Sequence, residues 1–138
     1  MWNKFKKMTG RGKAGQRKSN GHVLIVEEGL SCREFLCQAL QREHYSPVVV
    51  EKGSVMETAA SVGPCLIILN SIISGKKTLD LCAKLKAAEK MRHIPVLIIA
   101  EKNDASDIVE YFSQNVDCFL TKPFTKKELI SQVKMFAL

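Results

Sequence analysis

Five short apolar runs, Val23–Val26, Val48–Val50, Cys65–Leu69, Val96–Ile99 and Cys118–Leu120, are spaced along the chain. None exceeds five residues, and Val and Ile dominate them. Uninterrupted runs of this length suit strands buried on both faces of a parallel sheet. Each is followed by a segment of helical period. The apolar stripes are Phe35, Leu36, Ala39 and Leu40; Val55, Met56, Ala59 and Ala60; Leu81, Cys82 and Leu85; Ile108, Val109 and Phe112; and Leu129, Ile130, Val133 and Phe136. Ser31 with Glu34, and Thr125 with Glu128, have capping-box spacing. Gly63-Pro64 stops the second helix. Each β-to-β step takes about 20 residues, enough for one right-handed helical crossover. The pattern predicts a doubly wound α/β domain, a (βα)5 fold over residues 22–138.

The 138 residues make one domain plus an extension. No apolar run approaches the ~20 residues that cross a bilayer. The N-terminus has charge but no apolar stretch of a secretory signal. These features point to the cytoplasm. Five cysteines, Cys32, Cys37, Cys65, Cys82 and Cys118, show no C-x-x-C spacing and no histidine cluster, so they read as reduced core side chains. The formal net charge is +7. Residues 1–20 hold seven basic side chains (Lys4, Lys6, Lys7, Arg11, Lys13, Arg17 and Lys18) and no acid, which leaves fourteen of each sign elsewhere. The excess belongs to a Gly-rich basic arm, read as flexible over 1–21, and not to the domain.

In an open parallel sheet, ligands bind beyond the carboxyl ends of the strands. The first strand runs into Glu27-Glu28, the third into Asn70, the fourth into Ala100 and the fifth into Thr121-Lys122-Pro123. Two carboxylates, an amide and an ammonium thus converge on one small area.

The segments HVLIVEE, CLIILNSIISG, LDLCAKLKA, IPVLIIAEKND and DCFLTKPFTKKELISQVK, in this order, resemble the receiver domains of bacterial two-component response regulators. Lys122-Pro123-Phe124 before the last helix is the most specific match. The resemblance implies a flavodoxin-like sheet in order 2-1-3-4-5 and a phosphoryl-accepting switch. In active members an acidic pair and an aspartate hold Mg²⁺, the aspartate accepts the phosphoryl group, and a hydroxyl and a lysine bind its oxygens.

This chain departs from that pattern. Asn70 stands at the acceptor position, and a neutral carboxamide makes no acyl phosphate and is a poor Mg²⁺ ligand. Ala100 has no hydroxyl. Glu28, a methylene longer than the usual aspartate, is expected to push its carboxylate into the metal site. Ser74 replaces a proline. Because Ala100 and Glu28 erode the same chemistry independently, Asn70 reads as natural degeneracy. The expectation is a degenerate pocket of Glu27, Glu28, Asn70, Ala100 and Lys122 without Mg²⁺ or other cofactor, with Lys122 paired to Glu27 or Glu28. Phe119 occupies the family's aromatic switch position; it is equally a plain core residue.

The function implied is a non-enzymatic pseudo-receiver in two-component or phosphorelay signalling, acting by protein–protein interaction without phosphorylation. The alternative is a divergent receiver that is still phosphorylated. A small enzyme fares worst: no dinucleotide, P-loop or nucleophile-elbow motif is present. By resemblance the output surface includes Asp104, Asp107, Tyr111, Lys126 and Lys127, for a partner in trans or a second copy. In the arm, Trp2, Phe5 and Met8 recur every three residues, which suits an interfacial membrane contact with anionic lipid. Nucleic acid is the rival target, and a solvated tail the plain alternative.

Overall fold

The computed structural model describes residues 18–101 and 107–137. In chain order the elements are β1 (His22–Val26), α1 (Leu30–Arg42), β2 (Ser46–Val49), a 3-10 turn (Lys52–Ser54), α2 (Val55–Val62), β3 (Leu66–Asn70), β4 (Ile72–Ile73), β5 (Lys76–Lys77), α3 (Leu79–Ala87), β6 (Val96–Ala100), α4 (Ile108–Ser113), β7 (Cys118–Thr121) and α5 (Lys126–Phe136). The five long strands form one sheet in order β2-β1-β3-β6-β7. All four pairings are parallel. This is the strand order that the family resemblance implied.

Alternation along the strands divides the core. Val23, Ile25, Leu66, Ile68, Leu97 and Ile99 face α1 and α5, where Leu36, Leu40, Leu129 and Val133 meet them. Leu24, Val26, Ile67, Leu69, Val96 and Ile98 face the other way, against Val55, Ala59, Leu81, Leu85 and Tyr111. Each fully buried Leu or Ile contributes about 1.5–3 kcal/mol. Both faces need covering, which is why the runs are continuously apolar instead of alternating.

Helix ends follow local chemistry, with one correction. Thr125 accepts from the Glu128 amide at 3.0 Å, and Glu128 Oε1 accepts from the Thr125 amide at 2.8 Å, a complete capping box. Gly63 ends α2 at φ 62°, the left-handed conformation that glycine adopts without Cβ strain. The Ser31–Glu34 box does not form: α1 starts two residues earlier, with Gly29 at the N-cap and no side-chain cap. Gly29 is held there by Glu27.

The α4 stripe is also corrected. Val109 is 78% exposed and Phe112 44% exposed, whereas Tyr111 is fully buried. Ile108/Tyr111 and Val109/Phe112 have the same i, i+3 spacing, and hydrogen bonding of the Tyr111 hydroxyl decides which pair faces inward. A second difference is the β4–β5 hairpin, Ile72 opposite Lys77 and Ile73 opposite Lys76. Its turn residues Ser74 and Gly75 both have positive φ, 53° and 74°, as a primed two-residue turn requires. Among the described residues no helix is long and apolar enough to cross a membrane.

All five cysteines are free, and Cys37, Cys82 and Cys118 are buried. Burial pushes the thiols up from 9.0, to about 11 for Cys37 and Cys118 and about 12 for Cys82. An unfolded thiol ionises near 9 while the folded one keeps its proton. The native state therefore binds more protons above that pH, and stability falls as pH rises. Thermal unfolding is expected to hold steady up to about pH 8.5 and to drop steadily from about pH 9 through 12, measured by circular dichroism. Replacing Cys82 with Ala should flatten part of that drop, at the cost of a small cavity.

Candidate functional site

Sheet register assembles the site. Asn70 ends β3 opposite Ile99, one residue before Ala100 at the end of β6. The Ser71 amide donates to the Ile99 carbonyl at 2.8 Å, and the Lys122 amide to the Ala100 carbonyl at 2.8 Å. Glu27 follows β1 directly. The strand ends thus bring Glu27, Asn70, Ala100 and Lys122 together, as the sequence indicated.

The centre is the Glu27 carboxylate, 5% exposed. One oxygen, Oε2, accepts from the Gly29 amide at 2.8 Å. The other, Oε1, accepts from the Asn70 side-chain amide at 2.7 Å and lies 3.5 Å from Lys122 Nζ. The Cys32 thiol lies within the field of the Glu27 charge. Gly29 is suited to this contact, because a Cβ there would stand 3.1 Å from Glu27 Oε2.

The orientation of Asn70 follows from its neighbours. The Ile72 amide is a donor and reaches Asn70 Oδ1 at 2.9 Å, so the nitrogen faces the Glu27 carboxylate. Both polar atoms of Asn70 are engaged, at 6% exposure. Ala100 beside it is completely buried.

Glu28 differs from expectation. It is exposed, and its carboxylate accepts from the Ser74 amide at 3.0 Å, across to the β4–β5 turn. The added methylene gives it that reach. Lys122 meets Glu27, one of the two proposed partners, and also Glu101 at 2.9 Å. Glu101 escaped the sequence reading, which stopped one residue short at Ala100. Burial alone lowers the Lys122 ammonium, but its hydrogen bond to Glu101 and the charges of Glu27 and Glu101 outweigh this and hold it above its ordinary value. Cys32 is pushed up to about 11, by burial first and by the Glu27 charge second, so it is a neutral thiol at physiological pH. Beside the pocket an open cleft of about 690 Å³ runs between Glu28, Arg33, Glu51, Lys52 and Ser74.

A second, buried network lies behind the pocket. The Tyr111 hydroxyl donates to the Ser71 carbonyl at 2.7 Å and accepts from the Thr78 amide at 3.2 Å. The Thr78 hydroxyl donates to the Asn70 carbonyl at 2.9 Å. Lys77 then bridges to Asp107 at 3.2 Å and Glu110 at 3.3 Å. These contacts fasten the β3–α3 connection to α4. Tyr111 therefore does not belong to an exposed interaction surface, which is a correction: its ring fills the core and its hydroxyl is matched there. Asp107, with its side chain 14% exposed, is turned to Lys77. Lys126 and Lys127 are exposed on α5. Asp104 lies outside the described residues. Phe119 is half-buried, with ring centroids 5.9 Å from Tyr111 and 6.4 Å from Phe112.

Tyr111→Phe keeps the ring and removes one buried hydroxyl. The variant is expected to lose about 1–2 kcal/mol in urea unfolding, with faster amide exchange at Thr78 and along α4. Unchanged exchange at Thr78 would show that the hydroxyl does not hold this connection.

The family model of the response regulator receiver domain matches residues 23–134. The phosphate regulon transcriptional regulatory protein PhoB of Escherichia coli K12 is 29% identical over 113 residues, covering 81% of this chain and 49% of that protein. The DNA-binding response regulator MtrA of Mycobacterium leprae is 28% identical over the same length. The chain spans about half the length of the curated relatives it matches. Among solved structures, the signal receiver domain of a histidine kinase from Syntrophus aciditrophicus is 29% identical at a TM-score of 0.76, over 85% of this chain and 89% of that one. A response regulator from Chloroflexus aurantiacus, 21% identical, shares the fold at a TM-score of 0.79, over 85% of this chain and 97% of that one. The family match runs from the first strand of the sheet into its last helix, and on that ground the chain belongs to the response regulator receiver domains of two-component signalling.

Proposed function

We propose that this receiver is a pseudo-receiver: it signals through protein contacts and does not take up a phosphoryl group. One observation carries the reading. The Asn70 amide donates to Glu27 where an active site needs a free aspartate oxygen. An amide oxygen has no anionic lone pair for attack on phosphorus, and this one already accepts from Ile72. Ala100 supplies no hydroxyl for a phosphoryl oxygen.

The Mg²⁺ that the family uses does not fit these residues. Glu27 is surrounded by donors, Asn70 is neutral and engaged, and Glu28 is turned to the Ser74 amide. A hard cation prefers six oxygens with anionic ones among them, and it would have to break this set apart.

Output in this reading leaves through the α4–β7–α5 face to a protein in trans or to a second copy. Val109 and Phe112 of α4 give that face exposed apolar area, and Lys126 and Lys127 of α5 are exposed as well. Asp107 serves it indirectly, because its carboxylate is tied to Lys77. Reversing Asp107 would disturb α4 as well as any contact, so Val109→Glu and Phe112→Glu are the cleaner probes. Sedimentation of the full chain shows whether the partner is a second copy. Self-association, where found, should weaken about tenfold or more in either variant. Association indifferent to both changes places the interface elsewhere.

The decisive test is intact-mass spectrometry after incubation with acetyl phosphate and Mg²⁺. The expected result is no phosphoryl adduct. An adduct within the pocket would sink the pseudo-receiver reading and favour a divergent, phosphorylated receiver. Asn70→Asp replaces a donor by a second carboxylate against Glu27. It should destabilise the metal-free protein by about 1–3 kcal/mol and be partly rescued by Mg²⁺. It should accept phosphate only weakly, since Ala100 remains.

A further inference from the structure

We infer that the cleft beyond the ends of β1 and β2 is a ligand site of its own, and that it takes a small apolar zwitterion: a short peptide with free termini and aliphatic or aromatic side chains. The cleft holds about 690 Å³, within the range of sites that enclose small ligands. Open parallel sheets bind ligands beyond the carboxyl ends of their strands, close to where the strand order reverses. In the order β2-β1-β3-β6-β7 that reversal lies between β1 and β3. The cleft is built from the segments that follow β1 and β2 and from the hairpin that follows β3.

Its lining joins apolar surface to charges of both signs. Val26, Val49, Val50 and Ile73 supply the aliphatic part, and Val49 and Val50 are only half-buried. Glu28 and Arg33 come from the β1–α1 side, and Glu51 and Lys52 from the segment after β2. Each side thus brings one carboxylate and one cation. Glu27 lies at the edge of the cleft, but its oxygens are already engaged with Gly29, Asn70 and Lys122. Glu28 gives one oxygen to the Ser74 amide and keeps the other. Glu51 and Lys52 make no ion pair among the described residues.

This charge pattern selects among ligands. An anion with an apolar body would meet Glu28 and Glu51 as well as the cations, and an amine would meet Arg33 and Lys52 as well as the acids. Either one leaves like charges close together. An uncharged apolar molecule would desolvate the lining charges and pair none of them. A zwitterion answers both signs, with its carboxylate toward Arg33 or Lys52 and its ammonium toward Glu28 or Glu51. Opposite charges on both sides of a cavity this large favour termini separated by a peptide bond over the two groups of a single amino acid, which share one carbon.

The test is a titration of the full chain, followed by backbone amide NMR shifts, with the dipeptide leucyl-phenylalanine, its N-acetyl form and its C-terminal amide. Leucyl-phenylalanine should move the amides of Val50, Gly53 and Ser74 saturably within the millimolar range. Removing its ammonium or its carboxylate should each weaken binding about fivefold. Gly53 supplies the blocking variant: a Cβ there meets nothing within 4 Å, and its φ is not positive. Gly53→Trp therefore adds bulk at the cleft without straining the backbone, and binding should drop about tenfold or more at an unchanged thermal midpoint. Gly53→Leu is the milder block and should weaken binding in the same direction. Equal binding of the three ligands overturns the zwitterion, as does tighter binding of the acetyl or amide form. Undiminished binding to both Gly53 variants overturns the site. The absence of any saturable shift with leucyl-phenylalanine overturns the proposal outright. None of these readouts uses a phosphodonor or Mg²⁺, so the result is independent of the pseudo-receiver reading.

Discussion

A carboxylate nearly excluded from water has to be met by donors, and Glu27 sets the arrangement of everything around it. An isolated buried anion costs several kcal/mol, and the cost falls only when each oxygen is hydrogen-bonded or paired. The Gly29 amide, the Asn70 amide and the Lys122 ammonium meet Glu27 from three different segments. That requirement fixes the entry into α1, the rotamer of Asn70 and the position of Lys122 above the sheet. Burial first, and the Glu27 charge second, raise the Cys32 thiol. In a receiver that takes up phosphate, a metal ion meets part of this need. Here protein groups meet it, and the pocket is internally matched.

The same logic extends behind the pocket. The β3–α3 connection is bonded at both ends: Asn70 and Ser71 to Thr78 and Tyr111, and Lys77 to Asp107 and Glu110. A segment tied at so many points has few alternative arrangements. In the proposed reading, α4 therefore keeps one position and presents one surface without an external trigger. Tyr111 is central because it joins two roles. Its ring packs against the sheet beside Phe119 of β7, and its hydroxyl satisfies the Ser71 carbonyl.

The sheet was legible because its physics is simple. Runs such as Leu66–Leu69 are apolar without alternation, and only burial on both faces rewards that. Convergence of Glu27, Asn70 and Lys122 followed from strand ends alone, and the order of the strands from the family resemblance. The errors lie where local pattern is ambiguous. The six residues of α4 are too few for periodicity to distinguish Ile108/Tyr111 from Val109/Phe112, and a hydroxyl bond over 40 residues of sequence settles it. The β4–β5 hairpin around Ser74-Gly75 went unread, because runs of two residues fall below what strand patterns resolve. Glu101 and Lys77 acquire partners only through the fold, so no sequence spacing announces them.

In the pseudo-receiver reading proposed above, the three departures from the family pattern are physically linked. Once position 70 carries an amide, Glu27 gains a donor and loses its reason to share a cation. Glu28, freed from a metal, has the length to reach the Ser74 amide and brace the hairpin. Position 100 is then a buried site with nothing to bind. A hydroxyl there would need a partner in a region where the Ser71 hydroxyl is already buried without one among the described residues. Alanine, fully enclosed and apolar, carries no such penalty. On this view Ala100 is the residue that a buried site adopts when no phosphoryl oxygen arrives to satisfy a hydroxyl. The loss at one position relaxes the demand at the next.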